Sequence, residues 1–163
     1  MSVSYPLPNY RFLVSLDPVA PYSPPSSPTD PGIVVAGAFS DVTGLTGELE
    51  VLAHPEGGEN AFVHQLPVRY SWGRVTLKKG VVIRDRGLWE WFNEGLSGSL
   101  GARRDGAIFL QNPDGQPAIA WEFRAALAAK WVGPDLSARE GAVAIEALEF
   151  VHEGLRQTVP GAG

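Results

Sequence analysis

Few side chains in this sequence are of the kinds that do chemistry, and their spacing limits what they can do. The imidazoles are His54, His64 and His152. No two stand at the separation that lets ligands share a helix face, and none adjoins a cluster of carboxylates, so no metal site is expected. Cysteine is absent, which removes thiolate zinc sites, disulfides and a cysteine nucleophile. Two same-face acid pairs exist, Glu48 with Glu50 and Glu90 with Glu94. Two carboxylates across a cleft could hydrolyse a glycoside, but same-face glutamates on a strand or an exposed helix are commonly a solubilising face. There is no nucleophile elbow, and no glycine pattern leading from a strand into a helix. Gly95, Gly98 and Gly101 follow a helical stretch, where their amides meet no helix N-terminus. No catalytic residue, metal or cofactor is therefore expected. Tryptophans at 72, 89, 91, 121 and 131 open a second class, a carbohydrate-binding β-sandwich whose exposed indoles stack on sugars. Against it, Trp121 alternates with Ile119 and Phe123, and Trp89 and Trp91 lie among Leu88 and Phe92, a pattern of core packing.

The elements that must position these residues are mostly strands. Residues 71–95 form the centre of the pattern: Val75 and Leu77 alternate with Arg74, Thr76 and Lys78, as in a strand with one buried face. Lys78, Lys79 and Gly80 then read as a break. From Asp85 onward, Leu88, Trp89, Trp91 and Phe92 fall near helical spacing, with Asp85 or Arg86 at the start and Gly95 just past the end. Earlier, residues 10–16 place Tyr10, Phe12, Val14 and Leu16 on one strand face. Residues 17–32 hold Pro18, Pro21, Pro24, Pro25, Pro28 and Pro31, which excludes a helix or a central strand. This stretch reads as a long, partly polyproline-like loop, either a partner-binding segment or a tolerated surface insertion.

Strand writing resumes at 33–42. At 47–52, Glu48 and Glu50 share one face against Leu49 and Val51. Residues 62–66 are extended before Pro67. Residues 107–111 and 119–123 bracket the turn signal Asn112, Pro113, Asp114 and Gly115, a hairpin. Residues 125–132 read as a short turn and then a strand, and 142–152 as a final strand apolar, and so buried, on both faces. The fold class expected is mainly β, an antiparallel β-sandwich or barrel with one short helix, in a single domain spanning 1–163 with a proline-rich loop inserted at 17–32.

Composition narrows the partners. A chain of 163 residues can bury roughly 70% of its unfolded surface in one core. The formal charge of −5 argues against nonspecific nucleic-acid binding. No basic n-region or apolar h-region follows Met1, and no apolar run is long enough to span a bilayer, so a soluble protein made and kept in the cytoplasm, without membrane insertion, is expected.

Taken in order, several segments carry a resemblance. They are Tyr5, Pro6, Leu7 and Pro8 with Tyr10, Arg11 and Phe12; residues 39–45; Glu56, Gly57, Gly58, Glu59 and Asn60, followed by His64, Gln65, Leu66 and Pro67; residues 75–80; Leu88 to Trp91; Trp121, Glu122 and Phe123; and residues 143–150 with His152, Glu153, Gly154 and Leu155. The series resembles the tail-tube protein family of contractile phages and related extracellular contractile injection systems. That resemblance implies a non-catalytic subunit, six copies of which form a ring by sheet pairing between neighbours. Stacked rings would make a hollow inner tube for protein cargo, with sheath and baseplate or spike proteins as partners and, as the destination, a phage-tail-like particle assembled in the bacterial cytoplasm and open to extracellular release. It also implies a lumen face carrying Glu48 and Glu50. Two departures stand out: the proline-rich 17–32 stretch is longer than a plain tube subunit needs, and Gly141 stands where relatives tend to have asparagine. The first makes a tube-initiator ring, adapting the tube to the baseplate spike, an alternative to the tube body, and casts the six prolines as a loop toward a neighbouring ring or partner.

Overall fold

The computed structural model describes residues 6–9, 11–17, 39–58, 60–98 and 103–160. The chain forms β1 (Phe12–Asp17), β2 (Phe39–Thr43), β3 (Gly47–His54), β4 (His64–Trp72), β5 (Val75–Gly80), α1 (Gly87–Leu96), β6 (Arg104–Gln111), β7 (Pro117–Val132), β8 (Ile145–Val151) and β9 (Gly154–Thr158). All strand pairs are antiparallel. Seven strands make one sheet in the order β1-β6-β7-β8-β5-β2, with β9 also on β7, while β3 and β4 pair only with each other. The class is the one the sequence predicts, but among the described residues the sheet does not close into a barrel: β1 and β2 stand at its two ends.

β7 is what turns this sheet into a core. Its first half pairs β6 and β9, and from Leu127 on it pairs β8. Between the halves Ala125 adopts φ 49°, a left-handed conformation that costs a non-glycine residue about 1–2 kcal/mol. Neighbours hold it there. The Asp105 carboxylate accepts the Ala125 N–H at 2.8 Å, and Arg103 donates to the Ala125 carbonyl at 3.1 Å. The stretch expected to be a turn and then a strand is thus one strand bent at its first alanine.

Val14, Leu16, Val75, Leu77, Ile108, Phe123, Leu148 and Phe150 are buried on the inner surface, and α1 covers them with Leu88 and Trp91. Trp91 stacks at 5.6 Å on Phe150, which meets Phe123 at 4.7 Å. Each such side chain contributes roughly 1.5–3 kcal/mol by leaving water. The helix starts where Asp85 accepts the Gly87 N–H at 3.1 Å. It ends at Ser97, whose hydroxyl donates to the Glu94 carbonyl at 2.9 Å. Gly95 therefore lies inside the helix rather than past its end, because the side chain of Ser97 supplies the cap.

Three further expectations change. β5 does not break at Lys78 but runs to Gly80, with Lys79 on the buried face beside Val75 and Leu77. The final strand begins at Ile145, not 142, and only its Glu146, Leu148 and Phe150 face is buried. Its other face stays partly open, with no second layer over it among the described residues. β9 follows, a strand the sequence reading did not anticipate. The 33–38 part of the second expected strand, Tyr10, and the six prolines from Pro18 to Pro31 lie outside the described residues.

Candidate assembly surface

β2 with β5 and β3 with β4 are two lengths of one ribbon. Thr43 faces Thr76 and Gly47 faces Trp72, so four residues forward on one strand match four back on the other, and the register is unbroken. The ladder itself lapses between them. Gly44 has φ 89° there, and a Cβ at that position would run into the Arg74 carbonyl oxygen, so only glycine fits this crossing. The inner length lies on the core. The outer length projects as a free hairpin, about 26 Å long for eight residues.

That hairpin has two faces and neither is covered. Leu49 opposes Tyr70 and Gly47 opposes Trp72, with Val51 continuing the row. On the other face Glu48 opposes Ser71 and Glu50 opposes Arg69, with Arg69 Nε 3.4 Å from Glu50. Beyond Arg69 the pairing skips Val68 to Pro67, a bulge where a residue without an N–H can sit. All of β3 and all of β4 except His64 are exposed; Tyr70 is 73% exposed. The expected sharing of a face by Glu48 and Glu50 holds, and both are open to solvent.

At the hairpin's root the His152 ring lies 5.8 Å from Trp72. Both its nitrogens are shut from water and neither forms a well-shaped hydrogen bond. Burial pushes its pKa below the ordinary 6.5, with the Gly154 backbone opposing part of the shift. His54 and His64 face each other across the hairpin, and His64 is 3.6 Å from Glu56. Among the described residues no cluster of three metal-ligating side chains occurs. Glu94 pairs with Arg104 at 3.2 Å, whose guanidinium lies over Trp91; Glu90 is exposed on the helix. Trp91 is buried, Trp89 packs edge-on to Trp131 at 4.9 Å, and Trp121 packs on the core.

The opposite end of the ribbon carries a feature the sequence reading missed. After Gly80 the chain makes a tight turn in which Val82 bridges Asp85 and the Val81 N–H donates to the Ala144 carbonyl at 2.9 Å. Lys79, 2% exposed, reaches Asp85 at 2.7 Å and Glu146 at 3.7 Å. The Trp131 indole N–H donates to the other Glu146 oxygen at 3.0 Å. The hydrogen bond from Lys79, helped by the Gly87 N–H, holds the Asp85 carboxyl below its ordinary 3.8. The buried cation pins the turn from inside while Ile83 at its tip is 98% exposed. The apolar run of Val81, Val82 and Ile83 was the available signal; the pairing of Lys79 with Glu146, distant in sequence, was not.

A family model described as T4-like virus tail tube protein gp19 matches residues 8–156. No curated protein matches. Among solved structures, a chain in the six-fold symmetrised baseplate of the anti-feeding prophage is similar at 28% identity, over 98% of this chain and 99% of that one, with a TM-score of 0.75. A chain of an extracellular contractile injection system, the PVC sheath–tube complex in its extended state, shares the fold at 22% identity, over 96% and 94%, with a TM-score of 0.76. So does a chain of the anti-feeding prophage tube-terminating cap, at 21% identity, over 98% and 95%, with a TM-score of 0.75.

Proposed function

Because this chain belongs to the T4-like virus tail tube protein gp19 family, we propose that it is the inner-tube subunit of a contractile tail or injection system. Six copies close a ring by pairing sheet edges, and rings stack into a hollow tube that carries protein cargo. One observation carries this reading: the β structure is unfinished in a single copy. Among the described residues the sheet ends at β1 and β2 without further partners, and the hairpin leaves an apolar face in water. Open edges and apolar patches of this kind invite aggregation unless another chain takes them up. A ring of copies does so and stops.

In that ring Glu48 and Glu50 face the lumen, where a wall of carboxylates repels acidic cargo and nucleic acid at short range. The proline-rich loop with Pro18, Pro21, Pro24, Pro25, Pro28 and Pro31 reaches a neighbouring ring or partner, being stiff enough to dock at modest entropic cost. Sheath and baseplate or spike proteins are the heterologous partners, and the particle is assembled in the bacterial cytoplasm before release. Light scattering with negative-stain imaging tests the reading: six-copy rings or tubes are expected, and a monodisperse monomer at high concentration contradicts it.

A second reading has its own support. The chain similar at 28% identity comes from a baseplate structure, which favours a tube-initiator ring at the spike. Copy number per particle separates the two. A tube body repeats over many rings, and an initiator occurs in one.

A further inference from the structure

We propose that His152 is a proton-operated latch on the β3–β4 hairpin: neutral, it braces the hairpin against the body of the protomer through Trp72, and protonated, it lets the hairpin swing. The device belongs to the single copy and stands whether or not rings form. A hinge is already built. β3 and β4 pair only with each other, and where the ladder lapses the Gly73 N–H donates to the Thr46 carbonyl at 2.9 Å, a backbone bond across the gap. Gly44 and Gly73 approach so closely here that a Cβ on either would strike Arg74 or Thr46 on the facing length of chain. Trp72 braces this hinge. Its ring lies against Gly47, leaving no space for a Cβ there, and 5.8 Å from the His152 ring. His152 in turn lies 6.2 Å from Phe150, which stacks on Trp91. A row of rings thus runs from the hairpin's root to the core.

The row holds only while the imidazole is neutral. Both its nitrogens are shut from water and neither makes a well-shaped hydrogen bond. Protonation would leave two charged donors in that place without acceptors, which is costly, and attraction of the cation to the Trp72 face offsets less than that cost. The charges on the surrounding elements are engaged elsewhere. Glu149 pairs with Arg74, and Glu153 with Arg103. Asp105 accepts the Ala125 N–H. Glu48, beside Trp72 in the cleft at the hairpin's root, stays in water. Arg124, near Gly154, is itself a cation and opposes another. Burial lowers the His152 pKa from its ordinary 6.5, with the Gly154 backbone opposing. The closed hairpin is therefore fully favoured above 6.5. Below that it loses ground by up to about tenfold per pH unit, because the open form takes the proton first. A swinging hairpin loses more freedom on docking, so mild acid weakens whatever contact the hairpin makes.

The chain has no cysteine, so spin labels on Leu52→Cys and Asp114→Cys, both at exposed sites, report the hairpin against the β6–β7 turn alone. In protomer too dilute to assemble, a narrow distance distribution is expected at about pH 7.5 and a broad one at about pH 5.5, reversibly, while amides of β5 and β8 stay protected. His152→Phe keeps a ring and takes no proton, so it is expected to stay narrow at both. Trp72→Ala removes the brace at a site 39% exposed, so the core survives and the distribution is expected to be broad at both. A wild-type distribution that stays narrow in acid overturns the latch, as does broadening of His152→Phe to the same extent. Trp72→Ala as narrow as wild type at the higher pH, or a body that unfolds together with the hairpin, overturns it too. Should His152→Phe fail to fold, the Trp72→Ala result decides. No outcome here touches the ring reading.

Discussion

The two lengths of the β2-to-β5 ribbon carry the same alternation of apolar and polar residues and share a register, yet they end in opposite environments. In the inner length Val75 and Leu77, on a strand paired with β8, are fully buried in one cluster with Leu88 and Trp91 of α1. In the outer length Leu49, Val51 and Tyr70 are left in water. The pattern therefore says that a face wants covering, and not which chain covers it. One half belongs to the folding core and the other is left exposed, divided at Gly44.

The largest expected break in this contrast is Trp91→Ala. It removes a fully buried indole and should destabilise the protomer by about 3–5 kcal/mol in denaturant unfolding. Tyr70→Asp should shift the protomer by no more than about 0.5 kcal/mol while abolishing assembly seen by light scattering. Equal stability losses for the two would erase the distinction. Next comes Lys79→Met. It leaves the Glu146 carboxylate buried without its cation, an expected loss of about 3 kcal/mol, with much of it recovered when Glu146→Gln is added. Stability of the single variant matching wild type would mean that the cation does not hold the turn.

Smaller effects sharpen the picture. Ala125→Gly should stabilise the protomer by about 1 kcal/mol, since glycine meets no penalty at φ 49°; a loss would mean that the methyl's packing outweighs the strain. Acid should weaken the hairpin's root and the 81–86 turn in separate windows. His152 is buried neutral, so its contribution is full above 6.5 and declines as pH falls below it, when the unfolded chain protonates first. Asp85 has a depressed pKa, so its contribution is full above 3.8 and is lost only as pH falls further. Its carboxyl is 36% exposed, and solvent screening keeps that contribution under about 1 kcal/mol. Unfolding curves of Asp85→Asn against pH should flatten only at the acid end.

Local pattern made β1, the β6–β7 hairpin and α1 legible, because each is written in the period of its own burial. Pro67 hid the length of β4, since a proline in a strand is tolerated only by a bulge that no short window reveals. Lys79 reads as a break because a lysine is rarely buried unless paired; Asp85 stands close by in sequence, but Glu146 on β8 is far along the chain. Residues 142–152 were read as buried on both faces because their apolar content is high on both. In one copy only one face has a layer over it. The exposed hairpin was legible as alternation, but nothing among the described residues covers it.

Hydrogen exchange on assembled and dissociated protein tests the central claim most directly. Backbone amides of β3 and β4 at the hairpin's outer edges should exchange quickly in the dissociated protomer and slow at least about tenfold on assembly, while β5 and β8 stay protected in both. Hairpin amides that exchange equally fast in rings or tubes and in single copies would contradict it.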